Sequence, residues 1–115
     1  MQIHERIVGS VAIMELTGDI LLNDGDIQLK DKARSLIQQD FRRVVVDLGS
    51  VGYMDSAGLG ALVQAFATTK NAGGRMKLMR VTRKIKDLLT ITKLVTVFDT
   101  YETEAEALAS FSTGA

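Results

Sequence analysis

The sequence predicts an α/β fold built on a mixed, mainly parallel sheet of four to five strands. Two observations favour this fold class. Short apolar runs alternate with amphipathic helical runs, and repeated strand–helix–strand units imply parallel pairing because parallel neighbours need a crossover connection. Residues 44–48 are nearly all apolar, which is typical of a central strand covered on both faces. We therefore expect residues 44–48 in mid-sheet, with about four helices packed mainly on one side.

Two strands and a helix are predicted in the amino-terminal part. Residues 3–8 and 11–16 are typical of short strands, and Gly9-Ser10 between them suits a two-residue hairpin turn. After a loop, Asp26 is a candidate N-cap for the first helix, because its carboxylate can accept hydrogen bonds from free backbone N–H groups. The expected buried stripe of this helix is Leu29, Ala33, Leu36 and Ile37.

In the middle of the chain, the sequence predicts a helix, a strand and a second helix, in that order. One helix starts near Ser56, and the glycine-containing segment 71–74 marks its end. Residues 76–81 are expected to form a strand, and residues 85–89 a short helix. The inward stripe of the helix that starts near Ser56 is expected to be Leu59, Leu62, Val63 and Phe66.

A last strand and a last helix complete the predicted order. Residues 95–98 are mostly β-branched or aromatic, a composition that predicts a short strand. Thr103 and Glu106 form a T-x-x-E capping box for the final helix. The expected order is β-β-α-β-α-β-α-β-α in one domain, residues 1–115, since no proline-rich or low-complexity segment suggests a boundary. Its last helix should face inward through Ala105, Leu108 and Phe111.

Composition excludes several classes of function. Fourteen basic residues balance fourteen acidic ones, which argues against a dedicated nucleic-acid-binding protein. The absence of cysteine excludes disulfides and thiolate metal sites, and a single histidine, His4, cannot form a multi-histidine metal site. We expect no metal and no cofactor. With no apolar run of membrane-spanning length and no signal peptide at its start, the chain is expected to be cytoplasmic.

Charge is unevenly distributed along the chain. Between Lys70 and Lys93 one acidic residue, Asp87, stands among eight basic ones, and no basic residue follows Lys93. Such a stretch indicates solvated helix faces, or a basic surface that meets an acidic partner or a phosphate. The basic residues are Lys70, Arg75, Lys77, Arg80, Arg83, Lys84, Lys86 and Lys93.

Ser56 follows the predicted central strand and opens a helix, so it lies beyond the carboxyl end of the sheet, where ligands of open α/β sheets usually bind. Four roles are open to it: helix N-cap, catalytic nucleophile, part of a nucleotide-binding loop, or phosphorylation site. A nucleophile needs a base, and the segment matches neither G-x-S-x-G nor the phosphate-binding G-x-x-x-x-G-K-[ST] pattern. An N-cap is the usual role of such a serine.

Phosphorylation also suits this position. A phosphate adds about −1.5 to −2 charges, which a helix N-terminus tolerates and which a docked partner would have to desolvate. Gly58 and Gly60 each cost about 0.5–1 kcal/mol in a helix relative to alanine. They indicate either a bare backbone that a partner can approach or tight packing of the helix start.

The segment Tyr53-Met54-Asp55-Ser56-Ala57-Gly58-Leu59-Gly60-Ala61-Leu62 resembles the core motif of the STAS family, specifically of the bacterial anti-sigma factor antagonists. Weaker matches at residues 16–20, 44–48, 71–74 and 85–98 extend the resemblance over nearly the whole chain. Ala57 replaces a frequent second hydroxyl residue, and Lys93 stands where relatives often have glycine.

The resemblance implies a STAS-like fold and a partner-switching function without catalysis. It implies that an anti-sigma factor with a histidine-kinase-like ATPase fold binds the unphosphorylated protein and thereby releases a sigma factor. The same partner would phosphorylate Ser56, and a metal-dependent serine phosphatase would reverse this. The implied partner-binding residues are Asp19, Asp24, Asp55, Ser56, Ala57, Gly58, Leu59 and Gly60. The alternative is a non-switching accessory or scaffold subunit of a transporter or signalling assembly.

Overall fold

The computed structural model describes residues 1–113, and in this part of the chain the elements follow the predicted order. They form a mixed sheet of five strands with four helices, which confirms the predicted fold class. The elements are β1 (Gln2–Val8), β2 (Val11–Thr17), α1 (Gly25–Gln38), β3 (Arg43–Ser50), α2 (Ser56–Asn71), β4 (Arg75–Met79), α3 (Arg83–Ile91), β5 (Thr100–Tyr101) and α4 (Glu104–Thr113).

Strand order in the sheet equals strand order in the sequence, β1-β2-β3-β4-β5. The Gly9-Ser10 turn pairs β1 with β2 antiparallel, and Gly9 takes a φ of 60°, which glycine adopts without steric cost. The remaining neighbours pair in parallel. β3 therefore lies in the middle, and residues 44–48 are buried as predicted.

Three helices cover one face of the sheet, and one helix covers the other. α1, α2 and α3 bury an apolar core against β2, β3 and β4, in which Leu36 and Leu62 are fully buried. α4 covers the opposite face, where Ala107 and Phe111 belong to the same buried apolar cluster as Ile13 and Val45. The expectation that helices lie mainly on one side is therefore confirmed. Ala105, expected to face inward, is exposed because Ala107 takes the buried position in the first turns of α4.

Polar contacts attach α4 to the sheet. Arg6 on β1 donates hydrogen bonds to Glu15 on β2 and to Glu104 in the first turn of α4. Lys77, a member of the basic stretch, is buried on this face rather than solvated. Its Nζ donates to Ser110 Oγ at 2.8 Å and lies 4.5 Å from the centre of the Phe111 ring. These contacts offset the cost of burying the ammonium group.

The prediction of a strand at residues 95–98 is wrong. The edge strand is β5 at Thr100–Tyr101. Residues 92–98 instead form turns after α3, in which the N–H groups of Leu94 and Val95 both donate to Leu89 O. The apolar character of this segment serves packing: Phe98 is buried and meets Phe66 edge-on, with ring centroids 5.1 Å apart. Lys93 there has a φ of 61°, in the left-handed region that glycine adopts without strain.

Helix capping differs from the prediction at α1 and agrees with it at α4. α1 begins at Gly25, so Asp26 is not its N-cap but a buried residue of its first turn. The Asp26 carboxylate still accepts backbone N–H groups, from Ile27 at 2.8 Å and from Asp24 at 3.1 Å. The Thr103–Glu106 pair is confirmed, since the Glu106 N–H donates to Thr103 Oγ1 at 3.2 Å.

Candidate functional site

The start of α2 is capped by Asp55 and not by Ser56. Asp55 Oδ1 accepts the Gly58 N–H at 2.8 Å, and Oδ2 accepts the Leu22 N–H at 3.0 Å. These backbone hydrogen bonds, that of Gly58 first, hold the pKa of the Asp55 carboxyl below its usual range. The N-cap interpretation of Ser56 is therefore wrong: the preceding residue already satisfies the orphan N–H that a serine cap would accept.

Ser56 is left exposed as the first residue of α2. Its hydroxyl makes no hydrogen bond to any part of the chain that the structure describes. A hydroxyl that serves neither the helix nor the core is free for chemistry with a partner. It also lies at the positive end of a helix of 16 residues, where added negative charge is tolerated.

The loop before α1 runs beside the loop before α2 and holds it in place. Beyond the sheet edge the parallel pairing of β2 and β3 continues: Gly18 N–H donates to Ser50 O at 3.1 Å, and Ile20 N–H to Tyr53 O at 3.0 Å. Ile20 is fully buried and forms an isolated parallel bridge with Met54. The two loops therefore present one continuous surface.

The two glycines of the motif have different environments. A Cβ on Gly58 would lie 2.1 Å from Ile20 O, so only glycine lets the start of α2 lie against residue 20. A Cβ on Gly60 would meet no described atom within 4 Å, and Gly60 is exposed. Tight packing therefore explains why residue 58 is glycine. No such packing requires glycine at residue 60, where the backbone is accessible to a partner.

The remaining residues of the predicted partner surface are spread around this helix start. Ala57 and Leu59 are half-buried, and Asp19 is exposed beside Gly52. Asp24 is exposed as the N-cap of α1, with its carboxylate 3.4 Å from the Met1 amino nitrogen. Gly58 is buried, so it shapes the surface without presenting a side chain to it.

Sequence reasoning missed the exposed apolar side chains of Tyr53 and of the segment from Leu21 to Ile27, which begins in the loop beside the start of α2. Leu22, whose N–H binds Asp55, leaves 61% of its surface exposed, and Tyr53 leaves 45% exposed. Leu21 and Ile27 are also exposed near the start of α1. The available signal was the apolar run Ile20-Leu21-Leu22 between polar residues, of which Ile20 is buried and the two leucines are exposed. Exposed apolar side chains grouped on one surface are typical of a protein-docking surface.

The described residues show neither a metal centre nor a general base for Ser56. No group of three or more His, Asp or Glu side chains in residues 1–113 could hold a metal ion. The single histidine, His4, lies on the outer strand β1, and β2 separates it from β3. The nearest acidic group in sequence, Asp55, uses both carboxylate oxygens to bind backbone N–H groups.

None of the helices within residues 1–113 combines the length and hydropathy that a membrane span requires.

This fold and helix start define a class of small α/β domain that presents one serine beyond the carboxyl edge of its sheet. The chain belongs to the STAS domain family, whose model matches residues 2–107. It is 32% identical to the anti-sigma-B factor antagonist of Bacillus subtilis, over 75% of this chain and 91% of the relative.

Solved structures share the fold at lower sequence identity. One is the phosphorylated form of the Bacillus cell fate determinant SpoIIAA, with a TM-score of 0.75 and 18% identity over 96% of this chain and 99% of that chain. Another is a sulfate transporter family protein from Wolinella succinogenes, with a TM-score of 0.72 and 15% identity over 90% of this chain and 86% of that one.

Proposed function

We propose that this protein is an anti-sigma factor antagonist regulated by phosphorylation of Ser56. In its unphosphorylated form it binds a kinase-type anti-sigma factor with a histidine-kinase-like ATPase fold and so frees the sigma factor. The single observation that carries the proposal is the exposed Ser56 hydroxyl, which has no structural partner within residues 1–113 because Asp55 caps the helix. The B. subtilis relative, an anti-sigma-B factor antagonist, supports it.

The geometry explains how a phosphate would act without unfolding the domain. The helix dipole favours negative charge at Ser56, whereas the neighbouring Asp55 carboxylate opposes it. These effects are of opposite sign, so the fold is expected to persist. A docked partner is affected more, because a charge 4 Å from a like charge costs about 4 kcal/mol at an effective dielectric of about 20.

The partner surface consists of the Ser56 helix start and the loop beside it. We place Asp19, Asp24, Asp55, Ala57, Leu59 and Gly60 on it, with Gly58 shaping the backbone, and add the exposed side chains of Leu22 and Tyr53. A metal-dependent serine phosphatase would restore binding by removing the phosphate. The protein itself is a substrate and a switch, it performs no catalysis, and it acts in the cytoplasm with its partners.

The test is phosphate transfer and binding with the kinase-type anti-sigma factors encoded in the same genome. Ser56→Ala should abolish label transfer from ATP while it keeps partner binding and folding. Ser56→Asp should fold and bind about tenfold or more weakly, since each 1.4 kcal/mol is tenfold. Ser10 offers a control for position: it is exposed in the β1–β2 turn, at the opposite end of the parallel strands from Ser56, and its Oγ accepts a hydrogen bond from Arg43.

The control variants Ser10→Ala and Ser10→Asp should be labelled and bound like the wild type. Label that enters Ser56→Ala at the wild-type rate would contradict the proposal. So would a folded Ser56→Asp that binds as tightly as Ser10→Asp.

A second candidate function is suggested by the fold shared with the sulfate transporter family protein. In that case the chain would be a non-switching accessory or scaffold subunit of a transporter or signalling assembly. This candidate predicts no transfer of phosphate to Ser56 and equal binding of the assembly by Ser56→Ala and Ser56→Asp, so the same variants separate the two functions.

A further inference from the structure

One cation of α3 lies beside the loop that leads to Ser56. Lys84 is the second residue of α3, and its Nζ lies 5.2 Å from the centre of the Tyr53 ring. The two side chains also line one groove between the loop and α3, together with the exposed Ile91. The cation–π contact with Tyr53 therefore keeps an exposed ammonium group next to this loop.

The ammonium group of Lys84 has no anionic partner within residues 1–113. Its contact in this part of the chain is the Tyr53 ring, and it forms no ion pair. Asp87 lines the same groove but does not come within ion-pair distance of Lys84. Positive charge in the first turn of a helix is also disfavoured by the helix dipole. The charge of Lys84 is therefore available to an added anion.

Ser56 is close in the chain to the ring that Lys84 contacts. It follows Tyr53 by three residues, a length of chain that spans at most about 11 Å. This is comparable to the Debye length of about 8 Å at physiological ionic strength, so salt screens charges at this separation only in part. Lys84 has a flexible four-carbon stem, and a phosphate extends outward from the Ser56 hydroxyl, so the two groups can approach each other further.

A phosphate on Ser56 finds no cation on its own helix turn. The first turn of α2 contains no basic residue, and Lys70 lies in the last turn of that helix. The helix dipole attracts the phosphate, whereas the neighbouring Asp55 carboxylate repels it. Lys84 is placed to supply a countercharge from the next helix.

We infer that Lys84 pairs with the phosphate of phosphorylated Ser56. The inference rests on the proposed function and deepens it. In the unphosphorylated protein Lys84 lies against Tyr53. In the phosphorylated protein its ammonium group donates charge-assisted hydrogen bonds to phosphate oxygens. The pairing offsets the repulsion from Asp55 and stabilises the folded, phosphorylated protein, which removal of the phosphate then returns to the binding form.

The first test measures the second pKa of the phosphate, which is about 6 in phosphoserine, by phosphorus-31 NMR. Phosphoserine is incorporated at position 56 during translation, so the measurement needs no kinase. Lys84→Gln should raise this pKa by roughly 0.5 or more, because loss of a nearby ammonium group disfavours the dianion.

Lys86→Gln is the matched control for Lys84→Gln. Lys86 is also exposed on α3, but it lines a different pocket, with Arg80 and Tyr101. Its replacement should change the phosphate pKa by less than about 0.1, since the intervening solvent screens its charge. If the two variants give the same phosphate pKa, Lys84 does not pair with the phosphate and the inference is wrong.

The second test compares the melting temperatures of the phosphorylated and unphosphorylated forms. An interaction that shifts the phosphate pKa in the native state must also appear in the stability of that state. Phosphorylation should therefore lower the melting temperature more in Lys84→Gln than in the wild type, and Lys86→Gln should show the wild-type difference. Equal differences in all three proteins would overturn the inference.

The outcomes separate this inference from the proposed function. If a kinase-type anti-sigma factor labels Ser56 but Lys84→Gln leaves the phosphate pKa unchanged, the inference fails and the proposed function stands. If Lys84→Gln raises the pKa but no anti-sigma factor of the same genome binds or labels the protein, the proposed function fails and the pairing stands.

Discussion

α2 and α3 both begin at the carboxyl edge of the parallel strands, and their starts are built differently. At α2, Asp55 accepts two backbone N–H groups, and Gly58 lies against Ile20. At α3, the N-cap Thr82 makes no side-chain cap bond. Its buried Oγ1 has no hydrogen-bond partner within residues 1–113. The start of α2 is held by local and tertiary contacts, whereas the start of α3 lacks a side-chain cap.

The two helix starts also differ in the charge of their first turns. The first turn of α2 contains no basic residue, whereas α3 opens with Arg83 and Lys84. Positive charge at a helix N-terminus is unfavourable with respect to the helix dipole. Stability alone does not favour this arrangement. The comparison indicates that contacts fix the position of Ser56 at the start of α2, whereas α3 begins with positive charge that the helix dipole disfavours.

The largest effect is expected where the start of α2 is packed most tightly. Gly58→Ala places a Cβ 2.1 Å from Ile20 O and should lower the free energy of unfolding by about 2–3 kcal/mol, a typical cost of overpacking. Gly60→Ala is the control and should raise it by about 0.5–1 kcal/mol, because alanine is the better helix former and space is available. Urea denaturation measures both, and equal effects would contradict this account of the packing.

The Asp55 cap is the next largest contribution. Asp55→Ala leaves the N–H groups of Gly58 and Leu22 without their acceptor and should lower the melting temperature by several degrees. Because the native pKa of Asp55 is lowered, its stabilisation is present above the usual carboxyl pKa of about 3.9 and is lost as pH falls through the native value. Thermal melts between pH 7 and pH 2 should show the two proteins converging in acid. A difference independent of pH would contradict the cap.

A smaller effect should follow when α3 is given the kind of cap that α2 has. Thr82→Asp supplies a carboxylate acceptor at an N-cap with extended backbone and opposes the charge of Arg83 and Lys84. We expect a gain of about 0.5–1 kcal/mol in the free energy of unfolding. The matched isostere Thr82→Asn should gain less, since it caps without charge. Loss of stability in both variants would show that the start of α3 is already satisfied.

The smallest effect should come from Ser56→Ala. Because Asp55 and not Ser56 is the cap, this exposed substitution should change the free energy of unfolding by less than about 0.5 kcal/mol. If urea denaturation showed that Ser56→Ala lowers the free energy of unfolding by about 1 kcal/mol, Ser56 would be the cap after all.

The sequence by itself determined the element order and most of the core. Periodicity identified Leu36 and Leu62, and the apolar run identified residues 44–48, because these patterns record locally which face of an element is buried. The Thr103–Glu106 contact is also local: Thr103 Oγ1 accepts the Glu106 N–H and donates to the Glu106 carboxylate. Sequence reasoning likewise singled out the segment from Asp55 to Gly60 as the candidate site.

Only the tertiary structure decided which contacts hold that segment in place. Asp55 caps α2 while binding Leu22, and Gly58 lies against Ile20, contacts that join residues more than 30 positions apart. The edge strand forms at β5 rather than at residues 95–98 because β4 pairs with it, and the apolar side chain of Phe98 fills the core instead. The exposure of Ile91 is likewise decided by the tertiary structure, because it depends on which elements pack beside α3. Local pattern records the character of a residue, but hydrogen-bond partners and free space depend on neighbours that only folding brings together.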